Sequence, residues 1–316
     1  MGQGSAQPGS ADALASDGAG WAGALGQRWA ARVATMERQL APIGDVGLAA
    51  LAAQPGQRVL DIGCGGAATT RRIAEAVGPT GRVLGVDVSA ELVAHARGVL
   101  AGFDQAAVLE ADAGAHRFEP AAFDALFSRM GVMFFAEPVS AFANLHRALA
   151  PGAPLVATVF GPPGENPWAG VPARAAAEVM GPPEPTPPGA PGPFGWADPD
   201  YFAPILRAAG FSDVAWTAHE HRLVLAAAPD QPAAPNAAAP GADDQVAAAV
   251  ARAVAFMTEI GTVARRLALV APDDRPRITA AVAEALARAL APHVEESDLG
   301  FAVVLGARTW LVTARA

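Results

Sequence analysis

The chain has 316 residues, 52% of them hydrophobic, which suits one large domain or one and a half domains with an ample core. Its formal net charge is −9, and its 22 Lys-plus-Arg residues are all arginines. Scattered arginines on an acidic chain argue against a nucleic-acid partner, because a phosphate backbone requires a basic face. The single cysteine, Cys64, excludes an intramolecular disulfide and a cysteine-cluster metal site, and it fits a reducing compartment.

The N-terminal segment, residues 1–20, consists largely of Gly, Ala, Ser and Asp, without the basic start and apolar centre of a targeting peptide. We expect this segment to be disordered. No apolar run reaches the length of a membrane span, and the richest, Val246 to Met257, is broken by Arg252. These features predict a cytoplasmic protein without an integral membrane segment.

Apolar residues recur every three or four positions from Trp21 to Leu40, which predicts a helix there. A second helix is predicted from Ile43 to Ala53. The stripe carries Trp21 and Trp29, which either pack in the core or close over a ligand. We therefore interpret residues 21–54 as an N-terminal helical lid.

A glycine-rich turn follows the first predicted strand, where Val59, Leu60, Asp61 and Ile62 lead into Gly63, Cys64, Gly65 and Gly66. Glycines between a strand and a helix allow the backbone to approach a ligand and direct free N–H groups toward it. Alone, this turn indicates only a nucleotide-like cofactor.

Three later strands also end in polar residues. Arg82 to Asp87 places a carboxylate 20 to 25 residues after the glycines, where it can accept both hydroxyl protons of a ribose. Ala107 to Asp112 ends in another Asp, and Phe123 to Arg129 ends in Ser128 and Arg129. Helices are predicted between these strands, so the sheet is parallel, covered on both faces, and binds its ligand beyond the carboxyl ends of the strands.

The second half of the chain is predicted to complete this core, which occupies residues 55–160, and to add insertions. A Pro/Gly-rich insertion spans residues 161–197, with a short helix from Ala173 to Met180. Residues 198–228 and 300–316 supply a helix and the last two strands of the sheet. Between them, 229–299 form an Ala/Pro linker followed by helices near 245–260, 262–270 and 277–291, which we interpret as a substrate cap.

The chain resembles the class I S-adenosylmethionine-dependent methyltransferases, of the small-molecule type that includes the ubiquinone and menaquinone C-methyltransferases. The resemblance rests on residues 59–70, 83–89, 111–113, 123–135 and 145–160, roughly the first half of the chain. It implies an α/β, Rossmann-like sheet of seven strands, mostly parallel with an antiparallel last strand, with helices on both faces and helical cap insertions. The implied cofactor is S-adenosyl-L-methionine.

The resemblance also implies a role for individual residues. Asp61 and the backbone of Gly63, Cys64 and Gly65 would hold the methionine end, and Asp87 the ribose hydroxyls. The remaining implied cofactor contacts are Val88 at one adenine face, Asp112 and Ala113 at the adenine amino group, Ser128 and Met133 beside the sulfonium, and Trp29 in the lid. The sequence has Ala67 where relatives often have a further glycine, and Ala is small enough that we expect binding to survive.

No catalytic residue is evident, because the sulfonium methyl is already electrophilic and its transfer requires mainly placement and exclusion of water. Weak candidates for a general base are His219 and His221, which could equally be solvated or packed strand residues. Arg129 either grips an acidic group of the acceptor or forms a salt bridge at the sheet edge. We expect no metal, since no His or acidic cluster completes a His-x-His pair.

The acceptor is expected to be a small molecule with an aromatic or apolar body, because Met130, Met133, Phe134 and Phe135 make the rim of the fourth strand apolar. Ala-rich helices allow a homodimer. The doublet Arg265-Arg266 lies in a predicted helix, where a solvated face is the ordinary explanation.

Two other functions use the same features. An NAD-dependent oxidoreductase shares the glycines and the ribose carboxylate, although Asp61, the Asp112-Ala113 pair and the antiparallel last strand argue against it. A non-catalytic, methyltransferase-like binding subunit would retain the cofactor motifs without turnover.

Overall fold

The computed structural model describes residues 18–226, 241–297 and 300–316. The predicted disorder of residues 1–17 and the predicted linker at 229–240 lie outside the described residues. The first helix, α1 (Gly18–Ala22), already begins within the segment expected to be disordered.

One sheet organises the described residues. Its strands are β1 (Arg58–Ile62), β2 (Arg82–Asp87), β3 (Ala106–Glu110), β4 (Ala125–Arg129), β5 (Pro154–Phe160), β6 (Ser212–Leu225), β7 (Val294–Ser297) and β8 (Gly300–Arg315). The spatial order is β3-β2-β1-β4-β5-β8-β6, with β7 paired to β8 beside this path. β1 to β5 are mutually parallel, whereas β8 runs antiparallel to β5, β6 and β7.

This arrangement confirms the predicted α/β fold with a mostly parallel sheet and an antiparallel last strand. The strand count differs from the predicted seven by the short strand β7, whose Val294 pairs with Val303 of β8. Four residues within the predicted cap carry too little alternation to be recognised as a strand, and β7 forms because antiparallel pairing with the long strand β8 satisfies its backbone groups.

Helices cover both faces of the sheet, because alternate residues of each strand point to opposite sides. From β1, Val59 packs in one apolar cluster, which includes Ile73 and Phe127, while Leu60 and Ile62 pack in the other. The helices that follow the strands are α4 (Ala68–Val77), α5 (Ala90–Val99), α6 (Pro138–Ala148) and α8 (Pro199–Ala208), close to the predicted bounds.

The N-terminal helices differ from the prediction. A single helix over 21–40 and a second over 43–53 are wrong, since the structure has α1, α2 (Ala24–Ala31) and α3 (Val33–Leu51). The chain leaves helical geometry at Gly23 and at Arg32, so α2 packs against α5 while α3 packs against β4, β5 and β6. Pro42 does not end α3, because it lies on the exposed face, where water can hydrate the carbonyl that its missing N–H leaves unbonded.

The insertions form helices α7 (Pro167–Met180), α9 (Ala242–Glu259), α10 (Thr262–Ala268) and α11 (Arg275–Leu290). α7 begins six residues before the predicted helix, with Pro167 at its first position, where a missing N–H costs nothing. Within the described ranges no single helix is long and apolar enough to cross a membrane. The helices α9 and α10, which meet at an angle of 56°, are together long and apolar enough by length and composition alone.

Candidate functional site

A cavity of about 960 Å³ lies at the carboxyl ends of the parallel strands. One side is formed by residues that follow successive strands: Gly63 and Gly65 after β1, Asp87 and Val88 at β2, Asp112 and Ala113 after β3, Arg129 to Gly131 at β4, and Phe160 at β5. The topology of the sheet therefore brings to this one cavity most of the site residues that the sequence analysis predicted.

The glycine turn, residues 63–66, has a backbone that larger residues would not tolerate. Gly63 and Gly65 have φ values of +66° and +53°. A Cβ on Gly63 would lie 2.6 Å from the Cα of Gly131, so the turn after β1 touches the turn after β4 through backbone alone. Ala67, at the position where relatives often have glycine, also has a positive φ of 65°, the conformation that glycine adopts without strain.

Asp87 joins the second strand to the glycine turn. Its Oδ2 accepts a hydrogen bond from the N–H of Gly65 at 2.9 Å, and its Oδ1 accepts one from the N–H of Ser89 at 2.9 Å. Burial raises the pKa of the Asp87 carboxyl group, and the backbone N–H groups oppose this effect. Each carboxylate oxygen has a further lone pair, and Asp87 lines the cavity, which fits the acceptance of two ribose hydroxyl protons.

Asp112 and Ala113 form the third strand end. The Oδ1 of Asp112 accepts a hydrogen bond from the N–H of Gly114 at 2.8 Å, which fixes the turn. Asp112 is exposed and Ala113 is buried, and both line the cavity beside Val88. The arrangement suits an adenine ring that places its amino group at a carboxylate and one face on an apolar side chain.

The side chains of Asp61, Cys64 and Ser128 support the turn and do not line the cavity, and the cofactor contacts predicted for Asp61, the Cys64 backbone and Ser128 stay predictions. Asp61 is fully buried, and its Oδ2 accepts hydrogen bonds from Thr69 Oγ1 at 3.0 Å and Thr70 Oγ1 at 2.7 Å. Burial raises its pKa to about 6. The Asp61 carboxylate therefore ties β1 to the start of α4.

Ser128 and Cys64 are the other two supporting residues. The Oγ of Ser128 donates to the carbonyl of Ile62 at 2.8 Å and accepts from the N–H of Gly131 at 3.2 Å, so it links the two turns. Cys64 is buried against Gly85, and burial raises the pKa of its thiol. Cys64 is therefore a packing residue, and Met133 is the predicted sulfonium neighbour that does line the cavity.

Arg129 forms a partly buried ion pair at the cavity wall. Its Nη2 lies 2.5 Å from Oε2 of Glu37 on α3, and the two side chains are 9% and 16% exposed. The interpretation of Arg129 as a salt bridge at the sheet edge is confirmed. The pair joins α3 to the end of β4 directly beside the glycine turn, since the Oε1 of Glu37 lies 3.9 Å from a Cβ placed on Gly65.

The N-terminal helices contribute an aromatic wall. Trp21, Leu25 and Trp29 line the cavity. The Trp21 ring contacts Trp29 at a centroid distance of 5.1 Å and Phe134, on the turn after β4, at 5.2 Å, both edge to face. Trp29 therefore lines the cavity, and its predicted contact with the cofactor stays a prediction.

The inserted helices supply a third side of the cavity, which we call the insertion wall. It comprises the cavity-lining residues of α7 and of the α9–α10 segment: Trp168, Ala169, Pro172, Ala173, Phe256, Met257, Ile260, Gly261, Thr262, Val263 and Arg265. The wall is mostly apolar. The insertions expected to cap the sheet thus share a cavity with the strand-end residues.

The predicted bases His219 and His221 lie away from this cavity, which corrects their candidacy as catalytic groups. Both belong to β6, whose register pairs them with Thr309 and Ala307 of β8. The Nε2 of His221 lies 2.8 Å from the Thr309 hydroxyl, and burial lowers its pKa. The hydrogen bond to Thr309 on the neighbouring strand gives His221 a structural role that needs no part in catalysis.

Sequence reasoning missed several polar residues that line the cavity, among them Glu37, Gln39 and Arg265, and also Glu110, Glu137 and Ser140. Glu37 and Gln39 stand beside Met36 and Leu40, so the apolar stripe was visible but the cavity that it faces was not. Arg265 was assigned to a solvated face, because a sequence does not reveal which side of a short helix meets a cavity.

Comparison with known proteins gives a family and partial relatives. Residues 59–152 match the family described as "Methyltransferase domain". The chain is 30% identical over 171 residues to nocamycin O-methyltransferase of Saccharothrix syringae, covering 51% of this chain and 61% of that one. It is 31% identical over 103 residues to demethylmenaquinone methyltransferase of Staphylococcus epidermidis, covering 33% and 43%.

A solved S-adenosylmethionine-dependent methyltransferase from Aquifex aeolicus is similar at 20% identity and a TM-score of 0.41, over 53% of this chain and 79% of that one. The chain spans less than two thirds of the curated relatives it matches.

Proposed function

We propose that this chain, a class I S-adenosylmethionine-dependent methyltransferase by its domain at residues 59–152, methylates a small molecule with an apolar or aromatic body. One observation carries the proposal. The strand-end residues that fit the cofactor and the apolar insertion wall line the same cavity of about 960 Å³. That volume lies at the upper end of the range of small-molecule sites, so it suits two ligands side by side.

S-adenosylmethionine, when bound, supplies an electrophilic methyl group on a sulfonium. The residues that would hold it are the glycine turn, Asp87 and Val88, and Asp112 with Ala113. The positive φ values of Gly63 and Gly65 and the paired N–H bonds of Asp87 organise this surface before a ligand arrives. Such preorganisation reduces the ordering cost of binding.

The acceptor side depends on placement more than on acid–base chemistry. Among the described residues that line the cavity there is no histidine. The aromatic wall and the insertion wall would exclude water and hold the nucleophilic atom about 3 to 3.5 Å from the methyl carbon, a geometry that alone supplies much of a rate enhancement.

The atom that receives the methyl group is oxygen, carbon or nitrogen. Named relatives include an O-methyltransferase and a phosphoethanolamine N-methyltransferase, so relatedness does not select one atom. A cytoplasmic location and a homodimer stay predictions.

The test is calorimetric titration of the wild type with S-adenosylmethionine and S-adenosylhomocysteine, compared with Asp87→Ala. We expect micromolar binding that Asp87→Ala weakens by about 1 to 3 kcal/mol, the value of hydrogen bonds to a buried carboxylate. Asp104→Ala, an exposed Asp in the turn before β3, is the control and leaves binding unchanged.

The outcome separates the alternatives. The match of residues 59–152 to a methyltransferase domain argues against an NAD-dependent oxidoreductase, and binding of NAD in place of the adenosyl compounds would revive it. Cofactor binding without S-adenosylhomocysteine release, across a panel of phenols, carboxylic acids and amines, supports a non-catalytic binding subunit.

A further inference from the structure

The ion pair of Glu37 and Arg129 lies where the N-terminal helix α3 meets the glycine turn. The Nη2 of Arg129 donates to the Oε2 of Glu37 at 2.5 Å, and both residues line the cavity. The stem of Arg129 runs along α3, since its Cδ lies 3.3 Å from a Cβ placed on Gly44. Gly44 therefore leaves room for Arg129 to extend toward Glu37, about two helical turns nearer the start of α3.

The atoms of this pair that are not bonded to each other lie beside the turn. The Oε1 of Glu37 is 3.3 Å from a Cβ placed on Gly66 and 3.9 Å from one placed on Gly65. Within the described part of the chain, neither this oxygen nor the Nε and Nη1 of Arg129 has a hydrogen-bond partner, and each keeps some accessible surface. The pair can therefore accept one hydrogen bond and donate several others at the cavity wall.

The remaining acidic residues have other positions. Among the described residues, four more line the cavity, at the ends of β2 and β3, just after β3, and at the N-cap of α6: Asp87, Glu110, Asp112 and Glu137. Asp61, to which the resemblance assigns the methionine end of the cofactor, is fully buried and bonded to the hydroxyls of Thr69 and Thr70. Glu37 thus brings a cavity-lining carboxylate to Gly65 and Gly66 from a different element.

A carboxylate and a guanidinium held side by side match the amino-acid group of a ligand, which carries an ammonium and a carboxylate on one carbon. The guanidinium can bind a carboxylate through two parallel hydrogen bonds, and a carboxylate oxygen accepts from an ammonium. A zwitterion on a neutral ion pair adds no net charge to the partly buried site. Because each charge already holds the other in place, binding requires little reordering of side chains.

We infer that Glu37 and Arg129 bind the amino-acid group of the cofactor, Glu37 Oε1 accepting from its ammonium and Arg129 donating to its carboxylate. The inference rests on the proposed methyl-transfer function and deepens it. Glu37 lies outside residues 59–152, so α3 supplies a specific contact to the cofactor in addition to the wall that the N-terminal helices form.

A pair of ligands that differ in the amino-acid group tests the inference. S-Adenosylhomocysteine carries this group, whereas 5′-methylthioadenosine keeps the adenosine and the sulfur without it. Both are titrated calorimetrically into the full-length protein. We expect Glu37→Gln and Arg129→Met each to weaken S-adenosylhomocysteine binding about tenfold or more and to leave 5′-methylthioadenosine binding within about twofold.

Decarboxylated S-adenosylhomocysteine, which retains the amine, assigns the two ends separately. Glu37→Gln should weaken this compound as it weakens S-adenosylhomocysteine, whereas Arg129→Met should not weaken it. The double variant Glu37→Leu with Arg129→Met leaves no unpaired buried charge and should bind S-adenosylhomocysteine no more tightly than 5′-methylthioadenosine.

The matched control is a second ion pair that joins α3 to α4, between Asp45 and Arg72. Both of its side chains are about half exposed, and neither residue lines the cavity. Asp45→Asn should leave the affinities of both ligands unchanged. Equal weakening of both ligands by the Glu37 and Arg129 variants, or weakening of neither, would overturn the inference, since a purely structural ion pair does not distinguish ligands by their amino-acid group.

The wild type keeps the two proposals separate. If it binds neither adenosyl compound, the proposed function fails. If it binds both with equal affinity, the cofactor site stands and the role of Glu37 and Arg129 fails.

Discussion

Asp61, on β1 just before the glycine turn, is an acidic residue whose burial makes the stability of the protein depend on pH. Its carboxyl group is fully buried, and burial raises its pKa from 3.8 to about 6. The folded protein therefore holds this proton more tightly than the unfolded chain does. The resulting stabilisation is fully present below about pH 3.8 and is lost as pH rises through about 6.

We predict that Asp61 alone lowers the free energy of unfolding by about 3 kcal/mol between about pH 4 and pH 7. Urea unfolding of the wild type and of Asp61→Asn across this range isolates the effect, because other titrating groups cancel in the difference. Asn keeps an oxygen that accepts from the hydroxyls of Thr69 and Thr70. Parallel pH profiles for the two proteins would contradict the assignment.

Gln39 combines burial with an unsatisfied atom. Its side chain lines the cavity and is 6% exposed, and its Oε1 has no hydrogen-bond partner within the described part of the chain. An unpaired buried oxygen costs about 1 to 3 kcal/mol, so we predict that Gln39→Leu raises the free energy of unfolding by about 1 kcal/mol.

The control for this prediction is Gln105→Leu. The Nε2 of Gln105 donates to the carbonyl of Ala74 at 3.1 Å, so its replacement should destabilise the protein by a similar amount. Chemical denaturation of the wild type and both variants measures the two changes in the free energy of unfolding. Destabilisation by Gln39→Leu would show that the amide is satisfied in solution.

The residues that sequence reasoning placed well are those whose role is tied to a strand end. Gly63, Gly65, Asp87 and Asp112 follow strands recognised from apolar runs, and parallel topology then brings them together. Glu37 and Arg265 were missed, since they reach the cavity from helices whose packing the sequence does not specify. Side chains on separately packed helices have no spacing rule to reveal them.

At the scale of elements, the position of α2 depends on a close approach to α5. A Cβ on Gly26 would lie 2.2 Å from the Trp21 carbonyl and 2.4 Å from the Oγ of Ser89, the N-cap of α5. Leu25 and Trp29 on the same helix line the cavity. The contact therefore sets how the aromatic wall meets the cofactor residues.

We predict that Gly26→Ala displaces α1 and α2, because overpacking at such a contact costs about 1 to 3 kcal/mol. Binding of S-adenosylhomocysteine should weaken about tenfold, measured by calorimetry, while the stability of the sheet changes little. The matched control is Gly98→Ala on α5, where no atom lies within 4 Å of the added Cβ.

For the control we expect unchanged binding and a small gain in stability, about 0.5 to 1 kcal/mol, from the better helix propensity of alanine. Unaltered binding by Gly26→Ala would mean that α2 does not contribute to the cofactor site. A loss of the sheet's cooperative unfolding would mean that α2 belongs to the core.

The elements that the sequence predicted best are those with one clear pattern. β1, β2, β4 and α4 to α6 lie within two residues of their expected bounds, because apolar runs mark the strands, Ser89 caps α5, and Pro138 begins α6. The N-terminal helices were predicted poorly, since a continuous apolar stripe crosses the breaks at Gly23 and Arg32. Packing against different partners, α5 and the sheet, decides those breaks.

The whole molecule assembles its cavity from chain segments far apart in sequence. Residues 59–152, which match the family described as "Methyltransferase domain", supply the ends of β1 to β4, whereas α1 to α3 and the insertion helices supply the two walls. An ion pair between Arg32 and Glu259 joins the start of α3 to the end of α9. Both side chains are about half exposed, so this pair contributes little energy, and ligands should do most to hold the walls together.

This dependence predicts a spatial pattern of hydrogen exchange on ligand binding. At a concentration of about 100 times its Kd, a ligand stabilises the bound state by about 2.7 kcal/mol, so amides released by opening of its site exchange about a hundredfold more slowly. S-Adenosylhomocysteine should protect α1 and α2 together with the glycine turn. Addition of a small aromatic probe that occupies the apolar part of the cavity should extend protection to α9, α10 and the start of α7.

Two comparisons make the pattern decisive. In Asp87→Ala at the same concentration of S-adenosylhomocysteine, the protection of α1, α2 and the glycine turn should fall in proportion to the weaker binding. The reason is that the protection depends on how much of the site is occupied and not on the fold of the variant. The hairpin strand β7 does not line the cavity and serves as the internal reference. Protection confined to residues 59–152 would show that the walls move independently of the ligands, since closure over a bound molecule must slow exchange on both sides of the cavity.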